Sequence, residues 1–288
     1  MNILITGSGG FIGKHLSLKL KRAGHKVYGF DKINGQDLLK IKSIRSHISK
    51  NKIGLAYHLA AEADLNKARK NPYNCINLNI VSTINIAQVC WEYKIPLIYI
   101  STDCVYGNQK TFPSDEDNTK ENPAEIYALT KLSGEMAVKA FGDVGLQWKI
   151  ARIPTTYGEG MRQALAVYVF LDQALKGKPM TIHGTGKQTR ELAYIEDTVA
   201  GLVSLLKAPE NQIYNISSGE EISVLEMVKL IKDLTKTKSK VVFVKDRKGQ
   251  VFKEIVSIVK IRSATGWEPK TRFAQGLLKS LIWMQRKR

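Results

Sequence analysis

The stretch Thr6-Gly7-Ser8-Gly9-Gly10-Phe11-Ile12-Gly13 constrains this chain more than any other. It joins an apolar run, Asn2–Thr6 (NILIT), to a segment of helical spacing, Phe11–Lys21. A buried strand that turns on glycines straight into an amphipathic helix begins a dinucleotide-binding βαβ unit. Gly7 permits the tight turn, Gly10 the approach of a pyrophosphate, and Gly13 close packing of helix on strand. Gly9, Phe11 and Ile12 complete the loop, and the helix start offers free N–H groups to phosphates. A second strand, Lys26–Asp31, ends on Asp31, 18 residues past Gly13. A carboxylate there accepts ribose hydroxyls and repels a 2′-phosphate, which favours NAD over NADP; Lys32 stands beside it.

Short apolar runs then alternate with amphipathic ones. Gly54–Leu59, Pro96–Ser101 and Gln147–Ile153 have the look of strands, and Asn74–Trp91 and Ala124–Phe141 of helices. This alternation predicts an α/β fold of the Rossmann type, a doubly wound parallel sheet. After Pro154 the texture changes: loops lengthen and glycines multiply. The spacing predicts helices over Met161–Lys176, Glu196–Lys207 and Val224–Lys236, with a strand at Gln212–Ile216. The expected organisation is an NAD-binding domain over 1–154 and a smaller α/β substrate domain over 155–288. Crossings back to the sheet are expected near 188–216.

Bulk properties exclude several classes. No apolar run approaches the ~20 residues of a membrane span. Cys75, Cys90 and Cys104 show no paired spacing, so neither a disulfide framework nor a metal site is expected. The N-terminus reaches glycine before a secretory segment forms, and a cytoplasmic location is the default. The net charge is +18, and residues 232–288 hold 16 Lys/Arg against 4 Asp/Glu. Such a region suits nucleic acid, an anionic membrane surface or a phosphorylated substrate. No nucleic-acid-binding signature accompanies it, so no nucleic-acid partner is expected. No amphipathic anchor stands out either, which disfavours a membrane-surface role on lipid-linked sugars.

Tyr127 and Lys131, in YALTK, share one helix face one turn apart. A lysine ammonium beside a phenol favours the phenolate, so Lys131 is expected to lower the Tyr127 pKa. A Tyr so tuned exchanges a proton with a sugar hydroxyl while a nicotinamide takes the hydride. Thr102 ends the buried strand, where parallel sheets face their ligand crevice.

With these residues the chain resembles the extended short-chain dehydrogenase/reductases, in particular their NAD-dependent nucleotide-sugar epimerase/dehydratase branch. The resemblance spans nearly the whole length. Beside the glycine loop and Asp31, it takes in Asp37-Leu38 on the adenine side. It also includes His58-Leu59-Ala60-Ala61 along the cofactor and the helix residue Asn79. Ser101-Thr102-Asp103-Cys104-Val105-Tyr106-Gly107 matches the strand motif carrying the catalytic Ser or Thr, with Ser101 on the cofactor side. Arg152–Gly158 matches the segment passing the nicotinamide, with Pro154 on the cofactor side and Thr155 toward the substrate. Arg190–Asp197, Tyr214-Asn215-Ile216 and Gly266-Trp267-Glu268-Pro269 have counterparts as well.

The resemblance implies a nucleoside-diphosphate sugar in the second domain, with Arg190 and Arg247 on its diphosphate. It also implies a homodimer formed through the helices Asn74–Trp91 and Ala124–Phe141. The first presents Ile76, Ile80, Ile84 and Ala87, a face fit for core or interface. There are departures: Thr155 replaces the family's asparagine, and Gln250 stands where an acid is often found. Dehydratases, which eliminate water across the sugar's outer carbons, often carry Asp-Glu or Asp-Lys after the Thr. Here the pair is Asp103-Cys104. Asp103 can act as an acid, but Cys104 is a poor general base and fits a small buried apolar residue. The leading expectation is therefore 4-epimerisation by transient C4 oxidation and hydride return, of the UDP-glucose or UDP-GlcNAc type. A 4-ketoreductase or a 4,6-dehydratase is the alternative, since the Ser-Thr-Asp triplet also resembles 4-keto-sugar reductases. A cofactor-sensing binding protein ranks below both, because the Thr102/Tyr127/Lys131 set is complete.

Overall fold

The computed structural model describes residues 1–245 and 252–287. Its strands are β1 (Asn2–Thr6), β2 (Lys26–Phe30), β3 (Leu55–His58), β4 (Leu97–Thr102), β5 (Trp148–Ile153), β6 (Thr155–Tyr157), β7 (Met180–His183), β8 (Thr189–Tyr194), β9 (Gln212–Asn215), β10 (Glu221–Ser223) and β11 (Val241–Val244). The helices are α1 (Phe11–Arg22), α2 (Ile41–Asn51), α3 (Leu65–Lys70), α4 (Pro72–Ile76), α5 (Ser82–Glu92), α6 (Ile126–Gly142), α7 (Ala166–Leu175), α8 (Ile195–Ser204), α9 (Val224–Thr235), α10 (Val259–Thr265) and α11 (Phe273–Arg286).

The main sheet is parallel throughout, in the order β2-β1-β3-β4-β5-β9. The order reverses between β1 and β3, and such a switch point opens a crevice at the strand C-termini. Both faces are covered, because successive side chains of a strand point to opposite sides. Ile3 and Ile5 belong to one core, which continues through Tyr57, Ile98 and Ile100 into the C-terminal layer. Leu4, Ala56, Leu97 and Tyr99 belong to the other, packed beneath α2 and α5 with Ile44, Ile48 and Ile86.

The C-terminal part adds two small sheets, β10-β8-β6 and β11-β7. Within the stretch 188–216, β9 rejoins the main sheet whereas β8 stays in the three-stranded one. Two helix expectations are corrected. The helix expected from Met161 begins at Ala166. Residues 161–165 turn instead, with the Leu165 amide donating to the Arg162 carbonyl. The helix expected over Asn74–Trp91 is broken up, because Asn77–Val81 forms a π turn between α4 and α5. One residue is thereby inserted into the helical repeat, a local anomaly that often marks functional sites.

Candidate active site

The glycine loop crosses backbone on backbone. Gly7 has φ +69, and a Cβ there would stand 2.8 Å from the Ala60 amide nitrogen, the first residue past Leu59 on the neighbouring chain. A Cβ on Gly13 would overlap the Gly7 carbonyl oxygen. Helix α1 starts at Gly10 with no side-chain cap and no acid in its first turn, so its first N–H groups, from Phe11 and Ile12 on, face the crevice uncapped. Asp31 closes the loop from the other side. Its Oδ2 accepts from the Gly9 amide at 2.8 Å and its Oδ1 from the Ile33 amide at 3.0 Å, spanning Lys32. Each oxygen keeps a further lone pair for a ribose hydroxyl. Beyond it, Asp37 accepts from the Leu39 amide, and the Leu38 carbonyl accepts from Asn85.

Beneath the loop runs a buried relay. The Ala60 amide donates to Thr6 Oγ1 (3.2 Å), and Thr6 Oγ1 pairs with His58 Nδ1 (2.7 Å). On the other side of the ring, His58 Nε2 pairs with Thr83 Oγ1 (3.0 Å), which donates to the Asn79 carbonyl (2.6 Å). Thr83 has one proton and spends it on that carbonyl, so Nε2 must be the donor and Nδ1 the acceptor. Only a neutral imidazole satisfies the set. Burial first, and the Lys131 charge second, push the His58 pKa down to about 3. Asn79 lies in the π turn and is fully buried. Expected against the cofactor, its carboxamide is instead spent on the backbone of Glu62, which follows Ala61, and on the Thr130 hydroxyl.

At the C-terminus of β4, neighbouring residues part company. The Ser101 side chain was expected on the cofactor side but faces the opposite way, because strand side chains alternate. Its hydroxyl donates to Glu135 Oε1 at 2.5 Å. Glu135 also receives Arg152, through Nε at 3.0 Å and Nη2 at 2.7 Å, and all three side chains are buried. Thr102 lies close enough to the Tyr127 phenol to lower its pKa slightly. It also donates to Asp103 Oδ1 at 3.2 Å. Lys131, only 3 % exposed, lies one turn beyond Tyr127 on α6. Its ammonium sits 4.2 Å from the centre of the Tyr99 ring.

The electrostatics overturn one expectation. The Tyr127 pKa is raised, not lowered, since burial outweighs every other influence. The cation that pulls it down is Arg162, an exposed residue that no sequence signal marks. The Lys131 pKa is itself pushed down to about 7 by burial, against the pull of Glu135. Cys104 is held as a thiol by burial and by the nearby Asp103, in line with a small inert residue. Pro154 is buried beside β6, and Thr155 is exposed on it. Arg190 on β8 pairs with Glu254, Nε to Oε2 at 3.4 Å. Arg247 and Gln250 lie outside the described residues.

A glycine-lined crevice with a Thr-Tyr-Lys set at its wall has the form of a dinucleotide-dependent enzyme's site. The cofactor fits. The uncapped start of α1 suits a pyrophosphate, and the buried Lys131 ammonium suits ribose oxygens. The model of the NAD-dependent epimerase/dehydratase family matches residues 3–217. The chain belongs to that family and is an NAD-dependent enzyme. A putative UDP-glucose 4-epimerase of Methanocaldococcus jannaschii is 29% identical over 98% of both chains. The structure of the Thermotoga maritima UDP-glucose 4-epimerase with UDP-glucose superposes with a TM-score of 0.96 at 27% identity, covering 100% of this chain and 99% of that one. The UDP-glucuronic acid 4-epimerase of Bacillus cereus, solved with UDP-glucuronic acid and NAD, gives 0.93 at 26% identity over the whole of both chains. No helix among the described residues is long and apolar enough to cross a membrane.

Proposed function

We propose that the protein is a nucleoside-diphosphate-sugar 4-epimerase. The observation that carries this reading is the buried Thr102 at the end of β4 beside Tyr127, with the buried Lys131 one turn further along α6. Held by the glycine loop and Lys131, NAD would supply a hydride acceptor and donor at the sugar's C4, so that the hydride could return to the other face. Tyr127 removes the C4 hydroxyl proton and later gives it back, as a general base and acid. Thr102 orients the C4 oxygen by a hydrogen bond. Lys131 holds the nicotinamide ribose, one turn along α6 from Tyr127. Gly7, Gly10 and Gly13 cradle the pyrophosphate, and Asp31 takes the adenosine ribose. Arg190 serves the substrate diphosphate, for which its planar fork is suited.

The domains divide near Pro154, with α8 and β9 returning to the cofactor half. A homodimer forms through α4, α5 and α6. Ile76 and Ile84 are exposed there, as are Tyr73, Trp91, Leu129 and Met136 on the same helix pair, whereas Ala87 is core. The test is incubation of the purified protein with UDP-glucose or UDP-GlcNAc without added NADH. Appearance of the C4 epimer is expected. If no epimer forms while added NADH is consumed with a 4-keto sugar, the epimerase reading is wrong. That outcome would favour net 4-keto reduction, which Asp103 supports. Burial and the nearby Glu254 and Glu191 push its pKa well up, so it stands as an acid beside Thr102.

A further inference from the structure

The active site leaves part of the basic excess of residues 232–288 unused. Lys236, Lys238 and Lys240 lead into β11 and Lys245 follows it, all of them exposed. The Met180 amide donates to the Lys240 carbonyl at 2.8 Å, and Thr237 Oγ1 donates to the Ala174 carbonyl at 3.0 Å. These bonds bring the chain between α7 and β7, with the exposed Lys178, alongside the same cluster. Lys176 is matched by Asp172 at 2.7 Å. Among the described residues, Lys178, Lys236, Lys238, Lys240 and Lys245 enter no ion pair. Strand β11 itself is bare. It pairs with β7 alone, so its other edge is open. Val242, Phe243 and Val244 are 40 %, 56 % and 38 % exposed. Successive strand residues point to opposite faces, so the two valines leave one face uncovered and Phe243 the other. Lysines often guard a strand edge against pairing with another chain. A guard accounts for the charge but not for three exposed apolar residues in succession.

We propose that β11 and the lysines around it form a docking surface for an anionic lipid bilayer, with the apolar strand in the headgroup layer and the lysines at its phosphates. The unpaired lysines call for an anionic partner. The apolar side chains stand on both faces of an edge strand. A fluid headgroup layer can surround both faces, whereas a folded protein presses on one. Nucleic acid would meet a single aromatic ring and valines that stack on no base. A second copy of the chain would bring the same lysines face to face. Surface binding of this kind is usually carried by an amphipathic helix. Here a strand takes that place, which is why no helical spacing in the sequence marks it. None of these residues belongs to the active site, so the surface does not depend on the reaction assigned to it.

The test is co-sedimentation of the whole chain with vesicles of phosphatidylcholine alone and of phosphatidylcholine mixed with phosphatidylglycerol, at low and at high salt. The wild type is compared with Phe243→Ala and with the double variant Lys238→Gln/Lys240→Gln. The wild type should bind the mixed vesicles and not the neutral ones, and high salt should release it. The double variant should bind about 30-fold more weakly. Phe243→Ala should bind about tenfold more weakly at the same salt. If Phe243→Ala does not fold, Val242→Ser takes its place. Absence of binding to the mixed vesicles overturns the inference, and so does equal binding to both kinds. Binding that the apolar variant leaves unmoved is adsorption by charge alone and overturns the docked strand. Self-association that Phe243→Ala abolishes would give the surface to a second copy. A shift of duplex DNA at a salt concentration where vesicles are not bound would give it to nucleic acid, and either result overturns the proposal.

Discussion

The two sides of the β4 C-terminus, one residue apart, are built on opposite principles. Behind the strand, Ser101, Glu135 and Arg152 form a closed ionic set. Arg152 also reaches Glu121 at 2.5 Å and lies over the Tyr106 ring at 4.7 Å. In front, Thr102, Tyr127 and Lys131 are buried or half-buried with few partners, and the pKa values of Tyr127 and Lys131 move away from ionisation. The rear set stabilises by holding the buried Arg152 cation between the carboxylates of Glu135 and Glu121. The front set keeps its groups short of partners, so that a cofactor and a sugar can supply them. A fold that holds a reactive front in place needs a rigid back, and here a single strand serves both.

Substitutions on the two sides should therefore separate activity from stability. Tyr127→Phe should lower kcat by roughly 1,000-fold, the range of a lost general acid–base, while the melting temperature stays within about one degree. An equal loss of stability would merge front and back. Arg152→Met leaves Glu135 buried without its cation, and chemical denaturation should show a loss of about 3 kcal/mol. Adding Glu135→Leu should recover part of that loss, and failure to do so would show that packing, not charge, dominates behind the strand. Thr102→Val removes one hydrogen bond to the reacting oxygen, and kcat should fall about tenfold with KM little changed.

Lys131→Met acts on stability rather than on rate, and the size of its effect depends on pH. Because burial depresses the folded pKa to about 7, the unfolded chain binds more protons between there and the ordinary lysine value of 10.5. The lysine therefore penalises the cofactor-free fold increasingly as pH falls through that window, and fully below about 7. Thermal melts should find Lys131→Met more stable than the wild type at pH 6, by a few degrees, with the advantage fading toward pH 10. An advantage that does not change with pH would show that the ammonium is solvated after all.

Much of the front was legible in the sequence. Strand β1 is an apolar run closed by glycine, and Tyr127 and Lys131 share a helix face whatever packs against it. The back was not legible. Ser101 was assigned to the cofactor because it adjoins Thr102, whereas strand alternation turns it toward Glu135, and the Glu135–Arg152 pair joins residues with no shared motif. Arg162 escaped because its turn reads as helix. The π turn at Asn77–Val81 escaped because one added residue leaves an apolar pattern almost unchanged. In the C-terminal part, strands such as β6 and β10 are only three residues long, too short for a period to show. The pairing of Arg190 with Glu254 spans segments that no local pattern connects.

The glycine loop also has a genetic consequence. At Gly7 and Gly13 an added Cβ strikes main chain, namely Ala60 and the loop itself. No second-site change can move those atoms aside without moving the sheet, so Gly7→Ala and Gly13→Ala should yield no suppressors. At Gly9 the first obstacle is the Ile33 side chain. Loss of function in Gly9→Ala should be rescued by Ile33→Ala, and a selection for revertants would find the pair. Three glycines of one motif thus differ in whether evolution can cross them: two are walls, and the third is a door that opens from residue 33.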